Sequence, residues 1–307
     1  MSDLKRTYDW GRLATPLRTE VPAGSPQWKD NAYLGFWDAE ADVWGLFHWS
    51  TSPNHEDQTA IYGQLTVSVD GRTYETIDPL RPNSYSSEHI TFDLGDTVSG
   101  TAKAAGHNGP PEVHLDLTMA PRYAPADYSQ SAIVPSLEEG RGLNHLHATV
   151  HVRGTVAVDG ETRELNGLGW RDRTWGFRDE AARFIEYIAL LVAFESFDIS
   201  VFKFRQPDGG SKTHGFLLRE NDYDVITEAS ITRDYSGMCA AITVTAQDGR
   251  KFVLRRDQQH AHHYCPMGPK HSDGPAFSVV EEFFDMHIEG GETGRGLVEH
   301  GILRALH

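Results

Sequence analysis

The stretch HATVHVRGTVAVDGETREL, residues 147–165, indicates the fold class of this chain. Apolar and polar side chains alternate through it, which is the pattern of a half-buried β-strand. The pair Asp159-Gly160 interrupts the alternation. Such a pair between alternating segments is a strong signal for a β-hairpin, because a tight two-residue turn needs residues that tolerate positive φ angles. The stretch therefore predicts two antiparallel strands joined by a tight turn.

The same arrangement recurs along the chain. Further Asp-Gly pairs stand between strand-like segments at Asp70-Gly71, Asp208-Gly209 and Asp248-Gly249. Regular antiparallel strands with tight turns are typical of barrels and sandwiches. Residues 179–198 differ, since helix-favouring residues precede a segment rich in β-branched and aromatic residues. We expect a short helix there, followed by a strand from about Phe184.

Length and an internal echo suggest two domains. The 307 residues exceed the usual domain of about 100–200 residues. Residues 45–75 and 188–216 share one layout of strand, polar turn, strand, Asp-Gly turn and strand. We therefore expect an all-β protein with one domain at residues 1–160 and another at residues 161–307.

Composition limits the partners and the compartment. The formal net charge of −16 argues against a nucleic acid or an anionic membrane surface, since both need a basic protein surface. No apolar run reaches the roughly 18–20 residues of a membrane span, and the N-terminus lacks the apolar core of a secretory signal. Cys239 and Cys265 could form one disulfide at most. A cytoplasmic location is the expectation, and the oligomeric state stays open.

Residues 167–179, GLGWRDRTWGFRD, follow the hairpin and combine two tryptophans, three arginines and two aspartates. Alternate side chains of a strand share a face, so Trp170 and Asp172 point the same way. The opposite face carries Arg171, Arg173 and Trp175. The preceding strand has a matching polar row at His145, His147, Thr149 and His151. If the Asp159-Gly160 turn joins these strands, the two rows lie side by side.

This pairing is suited to proton transfer. A carboxyl group in apolar surroundings has a raised pKa and can act as a general acid near neutral pH. Asp172 is the candidate acid, and His145 and His147 would orient water or tune it. Trp170 and Trp175 would form aromatic walls, since an indole face stabilises a nearby cation by about 0.5–2 kcal/mol.

A structural interpretation of the same residues stays open. Asp172 would then be an ionised partner of Arg171, Arg173 or Arg178 and would lock the segment in place, because ion-pair networks also produce such clusters. The protein would then be a carrier of an apolar metabolite without catalytic activity.

Two further clusters have alternative interpretations. Residues 35–54 are rich in aromatic side chains, which line a ligand cavity or fill the core of the first barrel. Trp49 and His48 are candidate ligand-binding residues in the first case, together with His151. Residues 260–271, HAHHYCPMGPKH, invite a metal interpretation but match no standard zinc spacing. We expect neither a metal nor an organic cofactor.

The segment GLGWRDRTWG resembles the signature of the AttH-like and hydroxyneurosporene synthase (carotenoid 1,2-hydratase) family. The similarity extends from about Tyr33 to the terminal GRGLVEHGILRAL. It implies two tandem lipocalin-like β-barrels and assigns the proton donor of carotenoid hydratases to Asp172. A tyrosine of the family falls on Trp170, and its His-x-Trp pair falls on His145 and His147. The family also implies pericyclic cyclases among the relatives.

The sequence thus predicts two lipocalin-like antiparallel β-barrels that bind a hydrophobic small-molecule ligand. The leading hypothesis is an enzyme that hydrates or cyclises a carbon–carbon double bond by acid assistance, and the alternative is a binding or carrier protein. The ligand site lies within one barrel or between the two, and sequence alone leaves this open.

Overall fold

The computed structural model of the protein describes residues 21–52, 61–81, 84–106, 109–129, 131, 133, 143–177, 184–220, 222–267 and 275–305. Every regular element in these ranges is a β-strand, and neighbouring strands run antiparallel. Within the same ranges we find no helix with the length and apolarity needed to cross a membrane.

The first sheet comprises ten strands. They are β1 (Trp28–Asp38), β2 (Val43–Thr51), β3 (Tyr62–Val69), β4 (Arg72–Pro79), β5 (Ile90–Leu94), β6 (Val98–Gly106), β7 (Gly109–Pro121), β8 (Ala126–Asp127), β9 (Asn144–Val158) and β10 (Glu161–Phe177). Eight of them pair in a ring, in the order β1-β2-β3-β4-β6-β7-β9-β10 and back to β1. β5 pairs with β6, and β8 pairs with β9, outside the ring.

The second sheet is a closed eight-stranded barrel in sequential order. Its strands are β11 (Glu186–Ala193), β12 (Asp198–Arg205), β13 (Ser211–Leu218), β14 (Tyr223–Arg233), β15 (Cys239–Ala246), β16 (Lys251–Met267), β17 (Pro275–Ile288) and β18 (Thr293–Ala305). The two sheets confirm the predicted all-β fold of two lipocalin-like barrels. The echo in the sequence corresponds to β2–β4 of the first barrel and β11–β13 of the second.

The predicted tight turns are confirmed. Asp159 (φ 55°) and Gly160 (φ 81°) connect β9 to β10, and both adopt the positive φ that the turn requires. The Asp-Gly pairs at positions 70, 208 and 248 likewise lie between paired strands. The strand expected after Phe184 is β11. The short helix expected before it falls on residues 179–183, which lie outside the described residues.

Strand pairing assigns β10 to the first barrel. It pairs with β9 on one side and with β1 on the other. The boundary expected between residues 160 and 161 therefore falls inside the β9–β10 hairpin. The chain passes from the first sheet to the second between Phe177 and Glu186.

Three hydrophobic layers hold the molecule together. One fills the interior of the first barrel, and one fills the interior of the second. The third lies between the barrels and joins their outer faces, with Trp37, Trp44 and Trp170 from the first barrel against Phe202 and Phe283 from the second. The polar rows of β9 and β10 open onto this third layer. Packing of the two barrels therefore covers these rows, except for His151 at the exposed end of its row.

Candidate functional site

The β9–β10 ladder brings the two polar rows together, as the sequence predicts. Asp172 lies directly opposite His147, and Thr174 lies opposite His145. The two histidines are 4% and 2% exposed, and the side chain of Asp172 is 17% exposed. Trp170 is fully buried in the same row. The second barrel covers these outward-facing side chains, so the site lies between the barrels.

A triad of side chains forms the centre of the site. The Nε2 atoms of both His145 and His147 contact Oδ2 of Asp172, and these two nitrogen atoms are 2.8 Å apart. The hydroxyl of Thr174 donates to the other carboxylate oxygen, Oδ1, at 3.1 Å. Three polar atoms thus converge on one point. Thr174 fixes the orientation of the carboxylate.

The second barrel supports this triad from the opposite side. Oγ of Ser200, on β12, lies 3.1 Å from Nδ1 of His147. The hydroxyl of Tyr128, which follows β8, lies 2.6 Å from the same Oγ. This hydrogen-bonded chain orients the His147 ring so that its Nε2 faces Asp172.

Aromatic rings surround the two imidazoles. The Phe202 ring lies 5.1 Å from that of His145 and 5.0 Å from that of His147. Tyr128 lies 5.3 Å from both, and Trp170 lies 6.3 Å from His147. The surroundings are therefore apolar apart from the triad and its hydrogen-bond partners.

The protonation of Asp172 differs from the sequence prediction. Burial by itself raises the pKa of this carboxyl group, as expected. However, the charges and hydrogen bonds of His145 and His147 outweigh burial and hold its pKa below the ordinary value. The predicted raised pKa is therefore wrong. The carboxylate is the ionised partner of the two imidazoles.

A second acidic group lies on the facing barrel. Glu281 and Glu299 are directly opposite each other on β17 and β18 and share a hydrogen bond, and the hydroxyl of Tyr187 donates to Glu299. Burial raises the pKa of Glu281 and of Glu299, and the repulsion between Glu281 and Glu299, with a smaller contribution from Asp172, adds to the rise for Glu281. Two buried carboxyl groups in contact cannot both ionise, so the pair retains a proton.

Sequence reasoning missed this acid pair. The sequence signal for it was two consecutive glutamates, Glu281 and Glu282, within the apolar strand segment VVEEFF at residues 279–284. One of these residues, Glu281, is 1% exposed. A buried charge on such a strand has to find a partner or keep its proton. The Tyr187 ring lies 6.1 Å from that of Phe202, which joins the pair to the aromatic surroundings of the triad.

The structure separates the other predicted site residues from the triad. His151 continues the histidine row but is exposed at its end. Trp175 lies on the opposite face of β10, where it packs against Leu146 and Ala148, so it is not a wall of the site. Trp49 is fully buried in the interior of the first barrel, which favours the core interpretation.

His48 lies elsewhere between the barrels. Its Nδ1 is 3.4 Å from the hydroxyl of Tyr62, and neighbouring Gln64 donates to the carbonyl of Tyr264 on the second barrel. The first contact lies within the first barrel and the second joins the two barrels, and neither of them reaches the triad.

The arginines of the signature bind other partners. Arg173 forms a fully buried ion pair with Asp30, at 2.8 and 3.1 Å. Arg171 donates to the carbonyls of Leu94 and Asp96. Neither pairing involves Asp172, so the interpretation of Asp172 as an arginine-bound lock is wrong for these two residues. Arg178 lies outside the described residues.

The histidine-rich segment 260–271 is described only in part. His260 stacks on Trp44 with ring centroids 4.0 Å apart, and Nε2 of His263 is 3.1 Å from the carbonyl oxygen of Trp44. Residues 268–274 lie outside the described ranges. Where the structure describes the chain, one group of three metal-ligating side chains comes together, and its members are His145, His147 and Asp172.

Several solved structures share this fold. The protein assigned as AttH (NE1406) from Nitrosomonas europaea has a TM-score of 0.60 at 12% identity, over 98% of this chain and 99% of its own. CghA, solved with Sch210972, has a TM-score of 0.57 at 10% identity, over 96% and 97%. Kievitone hydratase from Nectria haematococca has a TM-score of 0.53 at 13% identity, over 98% and 97%.

At these identities the similarity establishes the architecture, and it is the AttH-like double barrel that the signature predicts. None of the curated proteins matches the sequence. One family matches almost the whole chain, over residues 16–303, and it carries the description of a domain of unknown function. The chain belongs to this family, DUF7064.

Proposed function

We propose that the protein is an enzyme that hydrates or cyclises a carbon–carbon double bond of a hydrophobic small molecule between its two barrels. One observation carries the proposal. The ionised triad of His145, His147 and Asp172 and the protonated pair of Glu281 and Glu299 occupy facing walls of one aromatic-lined interface. Carboxyl groups whose surroundings drive their pKa values apart are the usual signature of paired acid and base roles.

The acid pair supplies the proton in this scheme. The proton moves from the pair to one carbon of the double bond, and positive charge develops on the other carbon. Phe202, Tyr187 and Trp170 stabilise that charge through their ring faces. This assignment transfers the acid role from Asp172, where the sequence placed it, to the pair of Glu281 and Glu299.

The triad completes the reaction on the other side. In a hydration, a water molecule held by Asp172 and His145 adds to the cationic carbon, and the triad takes up the proton that this water loses. In a cyclisation, a second double bond adds instead, and the triad removes a proton from the resulting cation. Either reaction returns one proton to the protein for each proton donated, so the hydration consumes only water and the cyclisation consumes no reagent besides the substrate.

The substrate class follows from the surroundings of the triad. The residues around it are aromatic, and large apolar surfaces bind apolar ligands with a few polar groups that set their orientation. Kievitone hydratase is named for a hydration, and its shared fold supports the same reaction class here by analogy.

The test begins with the ligand that the protein retains. Ligands extracted from the purified protein are identified by mass spectrometry, and each is incubated with the protein in water labelled with ¹⁸O. Hydration inserts one labelled oxygen, whereas cyclisation gives an isomer of unchanged mass and altered retention. We expect Glu299→Gln and Asp172→Asn to lower turnover by about 10²–10⁴-fold, while His151→Asn keeps the rate of the unmodified protein.

The opposite result favours the carrier function. A ligand that binds tightly and is recovered unchanged after prolonged incubation would show that the site binds without reacting. Equal turnover by Asp172→Asn and the unmodified protein would remove the triad from the mechanism.

A further inference from the structure

We propose that His145, His147 and Asp172 form a binding site for a first-row divalent metal ion such as Zn²⁺. Two histidines spaced i and i+2 on one strand point the same way, and the third ligand lies directly opposite one of them on the paired strand. The ladder thus presents three ligand atoms to one point without any contribution from a loop. This goes beyond the sequence expectation of no metal.

The spacing of the two imidazole nitrogens fits a common ion. Zinc binds imidazole nitrogen at about 2.0–2.1 Å, so two nitrogens on one ion lie roughly 3 Å apart. The Nε2 atoms of the two histidines are 2.8 Å apart, and Oδ2 of Asp172 contacts both of them. A proton can bridge one pair of these atoms, whereas a cation binds all three once the carboxylate moves back from the two nitrogens.

Neighbouring groups orient two of the three ligands, His147 and Asp172, as metal sites require. A ligating histidine usually engages its other ring nitrogen in a hydrogen bond, and ligating carboxylates are themselves hydrogen-bonded. Nδ1 of His147 is held by Ser200 at 3.1 Å, and Oδ1 of Asp172 is held by Thr174 at 3.1 Å. Both contacts leave the ligating atoms directed at the centre of the triad.

The donor set indicates the class of ion and its role. Two imidazoles and one carboxylate suit Zn²⁺, Fe²⁺ and similar ions rather than Ca²⁺ or Mg²⁺, which prefer oxygen ligands. Three protein ligands leave a coordination position open, as in catalytic zinc sites. In the proposed reaction, on which this role rests, the open position would hold the water that adds to the substrate. Binding of the metal itself does not depend on that reaction.

The experiment measures metal binding without substrate. The full chain is stripped with a chelator, dialysed and titrated with Zn²⁺ by calorimetry, and Co²⁺ is added separately to read its ligand-field absorption. We expect one ion per chain. His147→Gln and Asp172→Asn should weaken binding more than 100-fold, and Ser200→Ala should weaken it about 10–100-fold by releasing the His147 ring.

The matched control is His151→Asn, which changes a histidine of the same row outside the triad and should leave affinity unchanged. Circular dichroism establishes that each variant is folded. If a ligand variant does not fold, the Zn²⁺ affinity of Ser200→Ala provides the test instead. The proposal is overturned if the unmodified protein binds no stoichiometric Zn²⁺. It is also overturned if the ligand variants bind as tightly as the unmodified protein, since the ion then lies elsewhere. If the unmodified protein binds Zn²⁺ at this site but turns over none of its extracted ligands, the proposed reaction is contradicted and the metal site is not.

Discussion

Asp172 on β10 lies directly opposite His147 on β9, and its carboxylate contacts this imidazole and that of His145. The position of the triad is therefore set by backbone pairing within one hairpin. Its burial is set by a different interaction, the packing of the second barrel on that hairpin. A change at the joint between the barrels can thus reach the site without touching the triad.

The contact between the two barrels at Arg122 gives the first prediction. The guanidinium of Arg122 from the first barrel binds Asp198 of the second at 2.8 Å and the carbonyls of Phe194 and Glu195. Asp198 is fully buried, and burial raises its pKa to about 7 despite Thr149 and Arg122. Arg122→Ala should lower the free energy of unfolding by about 3 kcal/mol, the low end for breaking a buried pair, because Asp198 can take up a proton.

Urea unfolding followed by tryptophan fluorescence measures this loss. The control is Arg163→Ala, which removes an exposed ion pair with Asp70 and should cost between about 0 and 1 kcal/mol. Equal effects of the two variants would contradict the assignment of Arg122 as the joint between the barrels.

The glycines of the signature give the second prediction. A Cβ atom on Gly167 would lie 1.9 Å from the carbonyl oxygen of Trp37 on the adjacent strand β1. Because backbone atoms occupy that space, Gly167→Ala should separate β10 from β1 and destabilise the protein by about 1–3 kcal/mol. Gly95→Ala is the control, since its nearest neighbours lie at 3.6 Å, and its thermal midpoint should stay close to that of the unmodified protein.

The period-two pattern and the Asp-Gly turn were sufficient to predict one half of the site. They place His145, His147, Trp170 and Asp172 on one face of a hairpin, and the structure confirms that face. The same alternation put Trp175 on the other side, where it packs against Leu146 and Ala148. Local sequence thus predicts which residues of one hairpin come together.

The other half of the site could not be predicted in this way. Ser200, Tyr187 and Glu281 come from three strands of the second barrel, and they reach the triad only because the two barrels pack face to face. No local pattern specifies that packing. The predicted direction of the Asp172 pKa shift was wrong for a related reason. The shift depends on how closely two imidazoles approach the carboxylate, and the strand register does not specify such distances.

The third prediction concerns the buried ion pair of Arg173 and Asp30, on the face of β10 opposite Asp172. Arg173 and Asp30 are both fully buried, so removal of either charge breaks this ion pair and leaves the other charge buried. Arg173→Met and Asp30→Asn should each cost about 3–5 kcal/mol. The double variant should cost less than the sum of the two, because it leaves neither charge buried. A double-mutant cycle from urea unfolding provides the test, and strictly additive costs would contradict a direct interaction between the pair.

The last prediction follows from the proton on the acid pair. Because burial raises the pKa of Glu281, the folded protein keeps a proton that the unfolded chain loses above the ordinary pKa of a glutamate. The unfolded state then binds fewer protons than the folded state, so the free energy of unfolding falls as pH rises through that range. Each retained proton contributes a slope of about 1.4 kcal/mol per pH unit.

Glu281→Gln removes this contribution and should flatten the slope, with the largest gain in stability over the unmodified protein at the highest pH. Glu299 is the partner of Glu281 in the pair, and the charged and titratable groups that face the pair are Tyr187, Tyr33, Cys265, Asp172 and His147. These groups stay in place in the variant. The difference between the pH profiles of the unfolding free energy of the two proteins therefore reports the proton held by Glu281 and Glu299. Glu289→Gln, at an exposed ion pair with Arg255, is the control and should leave the slope unchanged. Parallel pH profiles for the unmodified protein and Glu281→Gln would mean that the pair holds no proton, and the proposed acid would then have to be sought elsewhere in the interface.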